Sequence, residues 1–230
     1  MKIVMNETSI RRNARIGQIM GLAGLLVLAS GMVVSFKMPE KIWIAWLALL
    51  LGFTLAQIGI YYGNRWGRKP RLDEMLSHAL KGLDGRYTLY HYNNPAAHLL
   101  VGPAGVWVLV PQYQRGIITY EKGRWRQKGG GLGLAYMKVF AQEGLGNPDI
   151  EAAARVDGIK RYLKKKMSAE QIPTIQAVLV FTNDQAVLQV GDSPIPAVPA
   201  KKLKELIRKT AKNEPLALPK VEAVQEALPQ

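Results

Sequence analysis

The strongest pattern in the chain is two long apolar runs near its start. Ile16 to Phe36 contains no ionisable side chain, and at about 1.5 Å per residue in a helix it reaches across a hydrocarbon core roughly 30 Å thick. Ile42 to Tyr62 is a second such run, in which Thr54 and Gln57 are the clearly polar members. Trp43, Trp46, Tyr61 and Tyr62 stand near its ends, where interfacial aromatics belong. The segment Lys37-Met38-Pro39-Glu40-Lys41 between them has room only to reverse the chain, so the pattern predicts a two-helix hairpin. Gly17 and Gly21, then Gly52 and Ala56, are four apart and would let the helices approach closely. A cleaved signal peptide is the rival reading of the first run, with Arg11, Arg12 and Arg15 before it and Leu28-Ala29-Ser30 offering small residues. The run's length and the second span directly behind it argue against cleavage.

From Leu72 the pattern becomes globular. Leu72, Met75, Leu76, Ala79, Leu80 and Leu83 recur at helical spacing, with Gly82 and Gly85 as stops. Strands are predicted at Tyr87 to Tyr92, His98 to Val101, Val106 to Val110, Gly116 to Glu121 and Arg124 to Gln127, in the manner of a β-meander. Asn147-Pro148 predicts a helix start, with Asn as N-cap and Pro in the first turn, running to about Lys166. Ile175 to Thr182 and Ala186 to Val190 read as further strands, and Lys201 to Lys212 as an amphipathic helix with Leu203, Leu206 and Ile207 on one face. The Pro- and Ala-rich tail after Glu214 is expected to be disordered.

Charge sharpens this picture. The 230 residues carry 31 Lys and Arg against 17 Asp and Glu, a formal charge of +14. From Gly63 onward the count is 25 against 15, so the excess is more than a topology signal. Phosphate-bearing partners, nucleic acid or anionic lipid headgroups, are electrostatically favoured, as is an acidic protein. Basic residues flank the outer ends of the two runs (Arg11, Arg12 and Arg15; Arg65, Arg68, Lys69 and Arg71), against Lys37 and Lys41 in the reversal. That asymmetry predicts a cell-membrane protein with both termini cytoplasmic. With no cysteine, disulfides, thiolate metal sites and thiol nucleophiles are excluded.

Few residues suggest chemistry. Gly129-Gly130-Gly131 and Gly133 lack the lysine and the spacing of a phosphate-binding loop and read as a plain loop. His78, His91 and His98 have no metal-type spacing, and no serine sits in a nucleophile elbow, so hydrolase chemistry of that kind is not expected. Lys160, Arg161, Lys164, Lys165 and Lys166 cluster on one helical flank. They fit phosphate binding, as do Arg124, Arg126 and Lys128, while a solvated helix end complementing the macrodipole explains the first set equally well. No cofactor or metal is called for.

The stretch His98-Leu99-Leu100-Val101-Gly102-Pro103-Ala104-Gly105-Val106-Trp107-Val108-Leu109 resembles the core motif of the nuclease-related domain (NERD) family. Gly116, Trp125, the Asn147-Pro148 helix start and the strand Ala177 to Phe181 fall where that family has them, so the likeness extends over about residues 72–212. The resemblance implies a restriction-endonuclease-like α/β domain with a central mixed sheet flanked by helices. With the residue 1–71 anchor before it and a 213–230 tail behind, the predicted fold is a transmembrane hairpin followed by that domain. In such enzymes acidic residues hold Mg²⁺ and a lysine assists the attacking water. Here the family's aspartate is replaced by Ala97, and its glutamate and lysine by Val110 and Gln112; Glu74 is the one acidic remnant. The implied function is a membrane-anchored, catalytically degenerate binding module. The alternative is an active divergent nuclease that recruits Glu74, Glu121, Asp149 or Glu151.

Overall fold

A computed structural model describes residues 1–129 and 144–229. The chain is mixed α/β and divides into two compact units, one formed mainly by residues 7–71 and one by residues 1–6 together with most of the chain from Leu72 onward. The expected glycine loop lies largely outside the described residues.

In the first unit, helix α1 (Glu7–Lys37) and helix α2 (Ile42–Tyr62) are joined by a 3-10 turn over Pro39–Lys41, and a π turn over Gly63–Gly67 follows α2. Both helices are long and apolar enough to cross a membrane. Their contact is a stripe of glycines seven apart: Gly17, Gly24 and Gly31 are buried on α1, Gly52 and Gly59 on α2. A seven-residue repeat keeps side chains on one face of a slightly underwound helix. A Cβ at Gly24 would fall 2.8 Å from the Ala56 backbone nitrogen, and one at Gly59 2.6 Å from that of Gly21. Close approach is therefore real, but its period is seven and not the four predicted. Gly21 and Ala56 contribute backbone to it. Large apolar side chains such as Leu22, Leu25, Trp46 and Leu50 point outward and stay exposed.

In the second unit a six-stranded mixed sheet runs in the order β1 (Lys2–Met5), β2 (Thr88–His91), β3 (His98–Gly102), β4 (Gly105–Gln112), β7 (Ile175–Phe181), β9 (Ala197–Pro199). β2, β3 and β4 form an antiparallel meander, whereas β4 pairs parallel with β7 and β7 with β9. β5 (Gly116–Glu121) and β6 (Arg124–Lys128) do not extend the meander as predicted. They pair with β8 (Ala186–Gln189) in a separate three-stranded sheet. Gly105, at φ +101°, makes the tight β3–β4 turn that only glycine adopts without strain. Gly102 leaves room for the Tyr87 ring, since a Cβ there would come within 2.2 Å of it.

Strand alternation divides the core in two. Val106, Val108 and Val110 of β4 point to a cluster covered by helix α4 (Pro148–Lys164) through Ala152, Ile159 and Leu163, and by Ile118 of the small sheet. Trp107 and Leu109 point to the opposite cluster, covered by α3 (Leu72–Ala79) and α5 (Ala200–Asn213) through Leu76, Leu203 and Ile207. Three expectations need correction. The first six residues belong to the α/β unit, because β1 pairs parallel with β2 at the sheet edge. Asn147 starts α4 without a side-chain cap, its carbonyl instead accepting from the Glu151 N–H. The tail is not disordered: helix α6 (Leu218–Ala227) buries Val221 and Val224, and Leu228 just beyond it, in the α4-side core. It is anchored by the Leu216 N–H on the Pro103 carbonyl and by Gln225 Nε2 on the Arg86 carbonyl.

Candidate functional site

The three positions singled out by the motif likeness, Ala97, Val110 and Gln112, converge at one end of the β3–β4 ladder. Leu99 pairs with Val108, so continuing the register brings Ala97 opposite Val110. Val110 is fully buried among the aliphatic side chains of the α4-side core, and Gln112, two residues on, is also buried. Ala97 closes the β2–β3 turn at φ +66°, with the Tyr92 N–H donating to its carbonyl at 2.7 Å. An L-residue in this left-handed region is strained by roughly 1–2 kcal/mol, and Asn, Asp and Gly tolerate it best. Ala97 therefore holds a backbone conformation that its own side chain disfavours.

Glu74 does not join these positions. It is exposed on α3, the helix that covers the opposite face of the sheet. The first turn of α4 supplies carboxylates instead. Gln112 Nε2 donates to Glu151 Oε2 at 3.3 Å, and Glu151 Oε1 receives the Arg155 guanidinium at 2.5 Å. Arg155 also donates to the Ala96 carbonyl at 3.2 Å, so it links α4 to the turn that carries Ala97. Asp149 accepts from the Trp125 indole at 2.7 Å. Glu121 lies elsewhere, on β5, paired with Lys128 at 3.6 Å. Each of these carboxylates already has a donor, and among the described residues no group of three or more His, Asp or Glu side chains could hold a metal ion.

The predicted phosphate ligands are exposed but do not form one patch by sequence alone. Lys160, Arg161, Lys164, Lys165 and Lys166 line the C-terminal end of α4 and the turn after it, where Lys160 lies 4.0 Å from Asp157. Arg124, Arg126 and Lys128 alternate outward along β6, at the edge of the small sheet. A third basic surface lies on α5, where Lys201, Lys202, Arg208, Lys209 and Lys212 are exposed. Its signal was present in the sequence, since a helix with Leu203 and Ile207 inward must turn those residues out.

The histidines are not isolated. His91 and His98 sit opposite one another on β2 and β3 with their Nδ1 atoms 2.8 Å apart, and Ser77 Oγ of α3 lies 3.0 Å from His91 Nε2. Spacing could not show this, because the contact needs both the strand register and the docking of α3.

Comparison with protein-family models, curated proteins and solved structures found no match to this chain. At the β3–β4 end, the space that a metal cage needs is walled by Val110 on one side. On the other, a neutral amide and a guanidinium satisfy Glu151. Mg²⁺ parts with its water reluctantly and requires anionic oxygens, whereas Arg155 already neutralises the nearest one. The arrangement braces α4 against the turn at residues 92–97.

Proposed function

We propose that the α/β unit is a catalytically silent relative of the restriction-endonuclease-like nuclease-related domains, tethered to a membrane by the α1–α2 hairpin, and that it binds a phosphate-bearing partner. The element order from α3 through β2, β3, β4 and α4 to β7 supports the fold, with a helix before a three-stranded meander and a parallel return strand after a crossover helix. The observation that carries the loss of catalysis is the alanine at a left-handed position facing a buried Val110. Basic residues outside the outer ends of both spans support cytoplasmic termini, placing the domain beside nucleic acid and anionic lipid.

The decisive assay uses the full-length protein in detergent, because a fragment beginning at Leu72 would lack β1. It is incubated with single- and double-stranded DNA and RNA and Mg²⁺ or Mn²⁺, and its binding to nucleic acid and to anionic vesicles is measured between about 50 and 200 mM salt. Binding that weakens steeply with salt, as displaced counterions return, and no cleavage is the expected result. Loss of binding on replacing Lys160, Lys164, Lys165 and Lys166 by Gln would assign the surface; no binding at low salt would leave them as a solvated helix end.

The approach of Glu151 to Gln112, with Asp149 in the same first turn of α4, favours one second reading, a divergent metal-dependent nuclease. Metal-dependent cleavage abolished by Glu151→Ala and untouched by Glu74→Ala would make it the better one.

A further inference from the structure

The α3-side core is apolar, with Tyr87 and Trp107 among its aliphatic side chains, and a chain of hydrogen-bonding groups enters it. His91 and His98 are buried beside Leu76, Leu89 and Leu100, fully and to within 2% respectively. Their Nδ1 atoms are 2.8 Å apart, which requires one nitrogen to carry the proton and the other to be bare. The rings meet edge to face at 73°, and Tyr92 packs edgewise on His98, so the pair is held in one orientation. At the other end of the chain, Ser77 Oγ is 3.0 Å from His91 Nε2. Ser77 itself is half-buried and lines an open cavity of about 370 Å³ together with Ile3, His78, Lys81, Gly82 and Leu83.

This order of atoms has a chemical meaning. A hydroxyl at a surface cavity meets Nε2 of an imidazole whose Nδ1 is held by a third, buried group; nucleophile, base and orienting residue are recognised by such roles and not by sequence position. With the His91 proton on Nδ1 and donated to His98 Nδ1, Nε2 of His91 is bare and accepts from Ser77. We propose that Ser77 is an acyl-accepting nucleophile, with His91 as its base and His98 as the positioning residue, in a site for esters of short-chain carboxylic acids. Ser77 Oγ adds to the ester carbonyl carbon while its proton passes to His91 Nε2. The bond to the leaving alcohol then breaks, and the alcohol takes that proton from His91. Water, deprotonated by the same nitrogen, cleaves the acyl-serine to release the acid and restore the hydroxyl. Ile3 and Leu83 give the cavity an apolar wall suited to a short acyl chain, and Lys81 places positive charge at its rim. A neutral His98 supports the transient imidazolium less than a carboxylate would, so turnover is slow and covalent labelling is the sensitive readout. This site lies on the opposite side of the sheet from Val110 and Gln112 and stands independently of the nuclease-like reading.

The test treats the full-length protein in detergent micelles with a fluorophosphonate probe and, separately, with p-nitrophenyl butyrate. The expected result is one probe adduct per chain, located by peptide mass at Ser77, formed by the folded protein and not after heat denaturation. Ser77→Ala removes the adduct while the variant still melts cooperatively, its midpoint lowered by no more than a few degrees for the lost hydrogen bond to His91. His91→Gln slows labelling by about 100-fold, the low end of what a positioned base contributes. His98→Gln slows it by a smaller factor. A folded wild-type chain that takes no label, a label that persists in Ser77→Ala, or wild-type labelling in a folded His91→Gln variant would each overturn the proposal.

Discussion

Replacing Val224 by alanine tests whether the end of the chain is part of the core. Val224 is fully buried, on a helix within the Pro- and Ala-rich stretch that the sequence marks as a disordered tail. Two buried carbons are lost, worth about 1.6 kcal/mol at roughly 0.8 kcal/mol per methylene, and the cavity left between α6 and the α4-side core raises the total to about 2–3 kcal/mol. For a unit of this size each kcal/mol moves the melting temperature by about 2–4 °C, so the midpoint should fall by about 5–10 °C. The assay is a thermal melt of the full-length protein in detergent, followed by near-ultraviolet circular dichroism, with Glu222→Ala as an exposed control on the same helix. The control should stay within about 0.5 kcal/mol of the parent. If Val224→Ala is as silent as Glu222→Ala, or if protease removes everything after Pro215 without lowering the midpoint, α6 is not packed as described.

Three further outcomes are expected. Gly59→Ala, whose Cβ would fall 2.6 Å from backbone across the hairpin, should destabilise the full-length protein in detergent, whereas Gly21→Ala, with nothing within 4 Å of the new atom, should not; equal effects would contradict the seven-residue stripe. Ala97→Gly should stabilise by about 1 kcal/mol by relieving the left-handed backbone, and a lower melting temperature would show that the turn does not hold that conformation. Burial pushes the Tyr90 hydroxyl up to about 12, against which its hydrogen bond with Thr88 acts weakly. A group raised in the folded state adds stability that is complete below its unfolded pKa, near 10, and lost as pH rises through the folded value. Stability should therefore decline between about pH 10 and 12, and more shallowly in Tyr90→Phe, as pH-dependent melts would show; identical slopes would remove Tyr90 as a cause.

Composition and periodicity alone determined the two long apolar helices, the basic charge, and most of the strands and helices of the α/β unit. These are local properties: a long run without charges favours leaving water, and alternation or a 3.6-residue repeat marks the face that is buried. Sheet membership was not local. β5 and β6 read as a continuation of the meander, and only pairing with β8 from seventy residues later in the chain put them in another sheet. β1 falls within the stretch the sequence assigns to the residue 1–71 anchor, because a four-residue strand has no identity until β2 offers it an edge. The tail was misread because α6 carries too few apolar residues to show a face, yet Val221, Val224 and Leu228 suffice once a core is there to receive them. A motif likeness could single out Ala97, Val110 and Gln112, but not that Glu74 would lie across the sheet or that Arg155 would meet Glu151 beside Gln112. Ser77, His91 and His98 carried no signal at all. Their spacing in sequence is arbitrary, and the hydrogen bonds that join them exist because β2 and β3 set two histidines side by side and α3 then docks a serine onto one of them.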